Sequence, residues 1–334
     1  MLVSTAVAVV GGRLATDLED VTSDPAALDS RGFWAAVLPF DGEPRFARFA
    51  TVRPVPPMPA AWRGPPPGTW RSSLDRHAFE KGVTTIREAI AAGDVYQVNL
   101  CRVLSAPLPE PAAGDVIGLA AALAAGNPAP HAATVRLPDH GVQVASASPE
   151  LFLRRRGSLV ESRPIKGTAA TADGFLAKDV AENVMIVDLV RNDLGRVCEW
   201  GTVAVPGLCE REEHPGLVHL VSTVTGRLRP GVGWAGLLEA TFPPGSVTGA
   251  PKLAAVAAIE RLEPASRGPY CGSVGWVDAD RREGALNVAI RSFWVEHGKL
   301  HFGTGGGIPW GSDPAGEWEE TELKARRLLQ VASV

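Results

Sequence analysis

Ala285-Leu286-Asn287-Val288-Ala289-Ile290-Arg291-Ser292-Phe293-Trp294-Val295 is the stretch from which the fold is most directly read. Leu286, Val288 and Ile290 fall on one side and Asn287, Ala289 and Arg291 on the other, the period of two that a strand requires. Glu296-His297-Gly298-Lys299 then turns the chain into a returning strand at 300–302, so 285–302 is expected to be a β-hairpin. Working outward, residues 95–100 alternate in the same way, and 141–147, 151–154 and 202–205 add shorter strands. Helices are expected over 75–92, 177–190, 233–239 and 252–261, the first stopped by Gly93-Asp94. The class is α+β. From 53 to 68 the chain is dense in proline, which neither pairs in a central strand nor continues a helix. Residues 1–70 therefore read as an N-terminal strand-rich portion ending in a Pro-rich connector, part of the same domain as the larger 71–334 portion.

A length of 334 residues with 45% hydrophobic and 21% charged residues is ordinary for a folded globular protein. A net charge of −4, without basic clusters interleaved with aromatics, excludes nucleic acid as a partner. The apolar start, Leu2 to Val10, lacks a basic leader and runs into Gly11-Gly12-Arg13, so a first strand is expected rather than a signal peptide. No later stretch is long enough to span a bilayer. Cys101, Cys198, Cys209 and Cys271 are scattered without a C-x-x-C pair, which suits neither a disulfide framework nor a zinc site and points to the cytoplasm.

Chemistry concentrates in a few segments. In Ser162-Arg163-Pro164-Ile165-Lys166-Gly167-Thr168, a lysine stands between a proline-stiffened strand and a Gly-Thr turn. A lysine with its ordinary pKa of about 10.4 is almost wholly protonated at neutral pH, so a nucleophilic Lys166 must be desolvated or held near other cations. Taken alone, it reads rather as a solvated surface lysine, since most lysines are surface charges. Asp179 and Glu182 share one helical face, and Glu317, Glu320 and Lys324 another. Two solvated acidic faces with a Glu320–Lys324 pair would give the same spacing. If the two sets converge, the carboxylates need a cation, and all-oxygen ligation points to Mg²⁺ rather than Zn²⁺. Phe302-Gly303-Thr304-Gly305-Gly306-Gly307-Ile308 is read as a turn with free backbone N–H groups, and Ser246 and Thr248 as lying at a helix N-terminus suited to an anion.

In order along the chain, Tyr96-Gln97-Val98-Asn99-Leu100, Ser148-Pro149-Glu150, Pro164-Ile165-Lys166-Gly167-Thr168, Asp188-Leu189-Val190-Arg191-Asn192-Asp193-Leu194, Pro244-Gly245-Ser246-Val247-Thr248-Gly249-Ala250-Pro251-Lys252 and Glu317-Trp318-Glu319-Glu320-Thr321 resemble the chorismate-utilising enzymes. That family includes the large subunits of anthranilate and aminodeoxychorismate synthases and the isochorismate and salicylate synthases. The resemblance implies two antiparallel β-sheets packed face to face with flanking helices, and a Mg²⁺-dependent chorismate site between them. It implies Glu182 and Glu320 as direct Mg²⁺ ligands, with Asp179, where glutamate is usual, and Glu317 acting through water. Gly167, Thr168, Gly305, Gly306, Gly307, Tyr270, Arg291 and Lys324 correspond to substrate contacts, and Ser246 and His219 to further site positions.

Two positions distinguish the branches. Gln97 stands where isochorismate and salicylate synthases carry a water-activating lysine, and Lys166 stands where anthranilate synthases typically carry alanine. Both point to the aminodeoxychorismate synthase branch, with the anthranilate branch as alternative; a non-catalytic chorismate-binding subunit is disfavoured by intact Glu182 and Glu320. The reaction so implied uses Lys166 as nucleophile and Glu150 as proton shuttle, aminating chorismate for p-aminobenzoate and folate or a specialised pathway. No glutaminase segment is present in these residues, so ammonia is expected from a separate glutamine amidotransferase subunit.

Overall fold

The computed structural model describes residues 5–56, 62–109, 115–169, 171, 174–175, 177–214 and 217–333. In it the 285–302 stretch is a hairpin only in its second half. Strands Ser292–Glu296 and Lys299–Ile308 pair from Phe293↔Phe302 to Glu296↔Lys299. The first half, Glu283–Asn287, pairs instead with Leu151–Arg156 and Ser273–Asp278. The expectation of one continuous strand is thus corrected. At 288–291 the chain crosses from one layer to the other, and Arg291 makes the corner with a left-handed φ of 52°. There the Val288 N–H donates to Glu150 O (3.0 Å) and the Ala289 N–H to Gly272 O (2.9 Å). Val142–Ser148 and Leu151–Arg156 make the matching crossing at Pro149-Glu150.

Among the described residues, eighteen strands form one continuous antiparallel network. One half begins with Ala204–His214 and Leu217–Arg227 and passes through Leu159–Arg163, Leu151–Arg156, Glu283–Asn287 and Ser273–Asp278 to Phe33–Leu38, Arg45–Pro54 and Arg13–Thr22. The other runs from Val7–Val10 through His131–Leu137, Val142–Ser148 and Ser292–Glu296 to Lys299–Ile308 and Gln97–Pro107. Pairing of Ala8 with Ala15 joins them. The halves close on one core, with Trp34, Phe46 and Leu286 from the first meeting Val10, Val135 and Val144 from the second. This is the face-to-face arrangement expected.

Alternation in Gln97–Pro107 divides its neighbours. Cys101 and Val103 enter the shared core, while Val98 and Leu100 pack beneath helices Arg76–Ala92 and Lys252–Leu262. Helices Val116–Gly126 and Pro314–Ala332 cover the cluster containing Leu104, Phe293 and Phe302. Caps fix the helix ends: Asp75 accepts from Ala78 N (2.8 Å), and Gly93 closes the first helix at φ 83°. The connector is partly outside the described residues, at 57–61; beyond it, Trp62 Nε1 donates to Ala332 O (2.9 Å).

The glycine run is the second correction. Gly303 to Gly307 lie inside strand Lys299–Ile308, paired from Gly303↔Val103 to Gly307↔Asn99, not in a turn. Only the edge toward Gln97–Pro107 is laddered, since Ser292–Glu296 reaches no further than Phe302; the other edge leaves backbone groups such as the Gly305 carbonyl for side chains, and the missing side chains leave room on both faces. At 243–252 the helix starts at Lys252, as expected, with Pro251 as N-cap, which has no side-chain oxygen. Thr248 turns its hydroxyl back to Pro244 O (3.0 Å), so neither it nor Ser246 caps that helix.

Candidate active site

The two ends of the strand order meet at Lys166. It stands on Ile165–Ala169, which pairs with Leu217–Arg227 at one end, and its Nζ comes within 3.4 Å of the point where a Cβ on Gly307, at the other end, would lie. The same point is 2.0 Å from Gln97 Nε2, so only glycine leaves room for both side chains. Gln97 is 1% exposed, and its Oε1 has no hydrogen-bond partner. Gly167, at φ 90°, lets helix Ala177–Gly195 approach so closely that an added Cβ would meet the Cβ of Asp179 at 3.0 Å. Burial lowers the Lys166 pKa; Glu182, Glu150 and Glu320 oppose that shift while Lys324 adds to it. A desolvated amine with a cation nearby is what a nucleophilic lysine requires.

Glu150 sits at the layer crossing, 3% exposed, with its N–H on Ser148 Oγ (3.1 Å). Burial pushes its carboxyl up to about 7, against the lowering effects of a Ser246 hydrogen bond, the Lys166 charge and the Ile165 N–H. Near neutrality it can therefore both give and accept a proton. Folding strengthens its hold on that proton, so the stability attached to Glu150 is full below its unfolded pKa of 4.5 and lost as pH rises through about 7. Glu150→Gln is expected to remove this dependence. In urea unfolding, the stability of the wild type relative to the variant should fall by roughly 3 kcal/mol between pH 4 and 8. A pH-independent difference would contradict the raised pKa.

The acids come from two helices. Asn183, wholly buried beside Glu182, donates to Leu220 O (3.0 Å) and to Lys166 O (3.4 Å), tying the helix that carries Asp179 and Glu182 to the lysine strand. On Pro314–Ala332, Glu320 Oε1 lies 2.7 Å from Lys324 Nζ, which also donates to Gly305 O (3.0 Å). Ser312 donates to Glu317 Oε1 (2.7 Å). Gly306 is bare toward this helix, with Glu317 Oε2 at 3.3 Å, Lys324 Nζ at 3.7 Å and Glu320 Oε1 at 4.0 Å from where a Cβ would lie. Arg102 locks the helix down from beneath. It is 2% exposed, lies 4.1 Å from the Trp318 ring centroid, and donates to Thr321 Oγ1 (3.0 Å) and Glu322.

Burial raises the Glu317 pKa; Glu320 and Glu182 raise it further, while Ser312 and Lys324 lower it. The acids of the two helices thus act on one another. Among the described residues, no three His, Cys, Asp or Glu side chains are gathered as a finished metal cluster. An all-carboxylate donor set, mutually repelling and with one lysine among it, nonetheless suits a hard divalent cation such as Mg²⁺.

The remaining expected residues are distributed around this centre. Ser246 reaches the Glu150 carboxyl. Arg291 is at the layer corner, its pKa lowered by burial. Buried His219 is paired through its backbone with Thr168, whose side chain lies outside the described residues. Gly305 receives Lys324 through its carbonyl. Tyr270 stands further along, its ring beneath Gly303 and its hydroxyl 3.9 Å from Cys101 Sγ. All four cysteines are free. Gln97 enters the site as the strand pattern allows, but Asn183, Ser312 and Arg102 are holding residues without a signal in the motifs.

Residues 44–330 match the chorismate binding enzyme family, and the chain belongs to that family. It is 41% identical over 273 residues to aminodeoxychorismate synthase component 1 of Klebsiella aerogenes, covering 78% of this chain and 59% of that protein. It is 38% identical over 275 residues to an anthranilate synthase component 1 of Haloarcula marismortui, covering 79% of this chain and 55% of the relative. The chain thus spans between half and two thirds of the length of these curated relatives. The solved anthranilate synthase component I of Streptococcus pneumoniae shares the fold with a TM-score of 0.77 at 24% identity, over 97% of this chain and 89% of the other. No helix among the described residues is long and apolar enough to cross a membrane.

Proposed function

We propose that the chain is component I of an aminodeoxychorismate synthase, converting chorismate and ammonia into 4-amino-4-deoxychorismate and water. The observation that carries this reading is Lys166, a desolvated amine facing Glu150, Gln97 and the bare Gly307 strand. Arg291, Lys324 and the glycines provide the surroundings for a dicarboxylate. Glu182 and Glu320, with Asp179 and Glu317 behind them, are the residues that would hold Mg²⁺. When bound there, Mg²⁺ would neutralise a substrate carboxylate that these acids otherwise repel.

The Lys166 amine adds to ring C2 as the ring double bond shifts and the C4 hydroxyl departs. Glu150 gives that hydroxyl its proton, so it leaves as water. Ammonia then adds at C4, the double bond shifts back, and the C2–nitrogen bond breaks to free Lys166. The amine that forms the intermediate is also its leaving group, which divides one hard substitution into two easier ones. Ammonia reaches the site from a separate glutamine amidotransferase. The setting is the cytoplasm, where four free cysteines remain reduced.

The 334-residue chain alone is expected to turn over chorismate with ammonium and Mg²⁺ but not with glutamine. Coupled detection of product under both nitrogen sources tests this. Glutamine-driven turnover by the single chain would overturn the partner requirement, and absence of turnover with ammonium would overturn the enzymatic reading.

A further inference from the structure

Behind Glu150 lies a cavity of about 20 Å³, on whose wall the polar residues are Glu150, Ser162, Asp193, Thr241 and Ser246. The rest of the lining is chiefly apolar. A buried water needs roughly 10–15 Å³ and two to four polar partners, so the space suits one water. Thr241 already donates its hydroxyl proton to Leu237 O (2.7 Å), which leaves its oxygen as an acceptor. Ser246 bonds the Glu150 carboxyl from the same wall. On the far side, Asp193 Oδ2 is held 2.6 Å from Lys252 Nζ, which also donates to Thr241 O (2.8 Å). The Asp193 side chain retains 10% exposure and that of Lys252 18%, so this pair stands at the margin of the solvent.

We propose that this cavity holds one water that passes the Glu150 proton to Asp193, and that Asp193, fixed by Lys252, is the relay through which the proton exchanges with solvent. Glu150 gives its proton to the water oxygen while the water gives one of its own to the Asp193 carboxylate. The water is regenerated, one carboxyl becomes carboxylate, and the other does the reverse. A shuttle walled by protein needs such an outlet, because its other side faces Lys166 and the substrate space. The charged groups acting on the pair are Lys166 at Glu150, and Lys252 and Arg196 at Asp193. Asp193 touches no reacting atom and acts through the water alone.

The relay rests on the reading of Glu150 as a proton shuttle, but its test does not depend on turnover. A high-resolution crystal structure should show one water bonded to Glu150 and Asp193, and none in Ser162→Val, where two methyl groups in place of one hydroxyl take up space and remove a polar partner. In infrared difference spectra referenced to Glu150→Gln, hydrogen–deuterium exchange of the Glu150 carboxyl should slow by about tenfold or more in Ser162→Val and Asp193→Asn. Asp193→Glu should restore it, and Asp193→Asn/Lys252→Met, which leaves no unpaired charge, should stay slow. A dry cavity in the wild type, or an unchanged exchange rate in folded Ser162→Val, would overturn the relay. If the exchange behaves as expected while the wild type fails to aminate chorismate, the proposed reaction falls and the relay stands. With chorismate turned over, kcat in Asp193→Asn should fall about tenfold at unchanged KM.

Discussion

Glu320→Gln is expected to lower chorismate turnover by about 10³-fold or more while leaving the fold intact. The two halves of that result have different causes. Glu320 and Lys324 are 51% and 47% exposed in their side chains, and an ion pair so open to water contributes little to stability. The melting temperature should therefore hardly move. For activity, Glu317 and Glu320 stand together over bare Gly306 and the Glu182 charge acts on Glu317, so removing one carboxylate charge weakens any hold on a divalent cation. Lys324, freed from Glu320, would add an uncompensated positive charge beside these acids, which further disfavours a divalent cation. Initial rates against Mg²⁺ concentration, with unfolding followed in parallel, check both parts. Full activity of the variant, or of the wild type in excess EDTA, would refute the need for the metal.

Lys166→Ala is the second large effect. Losing a nucleophile that divides the reaction should cost about 10³-fold or more in kcat, several kcal/mol of transition-state stabilisation. The space vacated lies next to Gln97 and Gly307, where ammonia could reach the ring directly. Residual product should therefore shift toward amination at C2. A chorismate adduct on the wild-type peptide containing Pro164-Ile165-Lys166, absent from the variant, would identify the attacking atom. An unchanged rate and an unchanged 4-amino product would make Lys166 an electrostatic neighbour only.

Much of this site is legible in the sequence because its residues lie in local motifs. Glu182 and Glu320 are marked by helical spacing, and Lys166 by its setting between proline and glycine. What fails to show is what depends on distant partners. The period of two runs unbroken through 285–295, yet the chain changes layers there, because Leu151–Arg156 binds one half and Val142–Ser148 the other. The glycines look like a turn because glycine is usually a turn residue; in Lys299–Ile308 they instead make way for Gln97, Lys166 and the acids. Arg102 reads like any arginine in an alternating strand. Its burial follows only from Trp318, Thr321 and Glu322, more than two hundred residues further on. Ser246 is legible as a site residue but not in its role: the helix starts at Lys252 as expected, and Ser246, six residues before it, bonds the Glu150 carboxyl instead.

The assignment of Lys166 as nucleophile decides which amine the protein makes. The most direct measurement is mass and NMR analysis of the product formed by the wild-type chain from chorismate, Mg²⁺ and ammonium, without any partner or downstream lyase. Nitrogen at ring C4 with the enolpyruvyl group retained, giving 4-amino-4-deoxychorismate, is the result expected here. Anthranilate with release of pyruvate would contradict it.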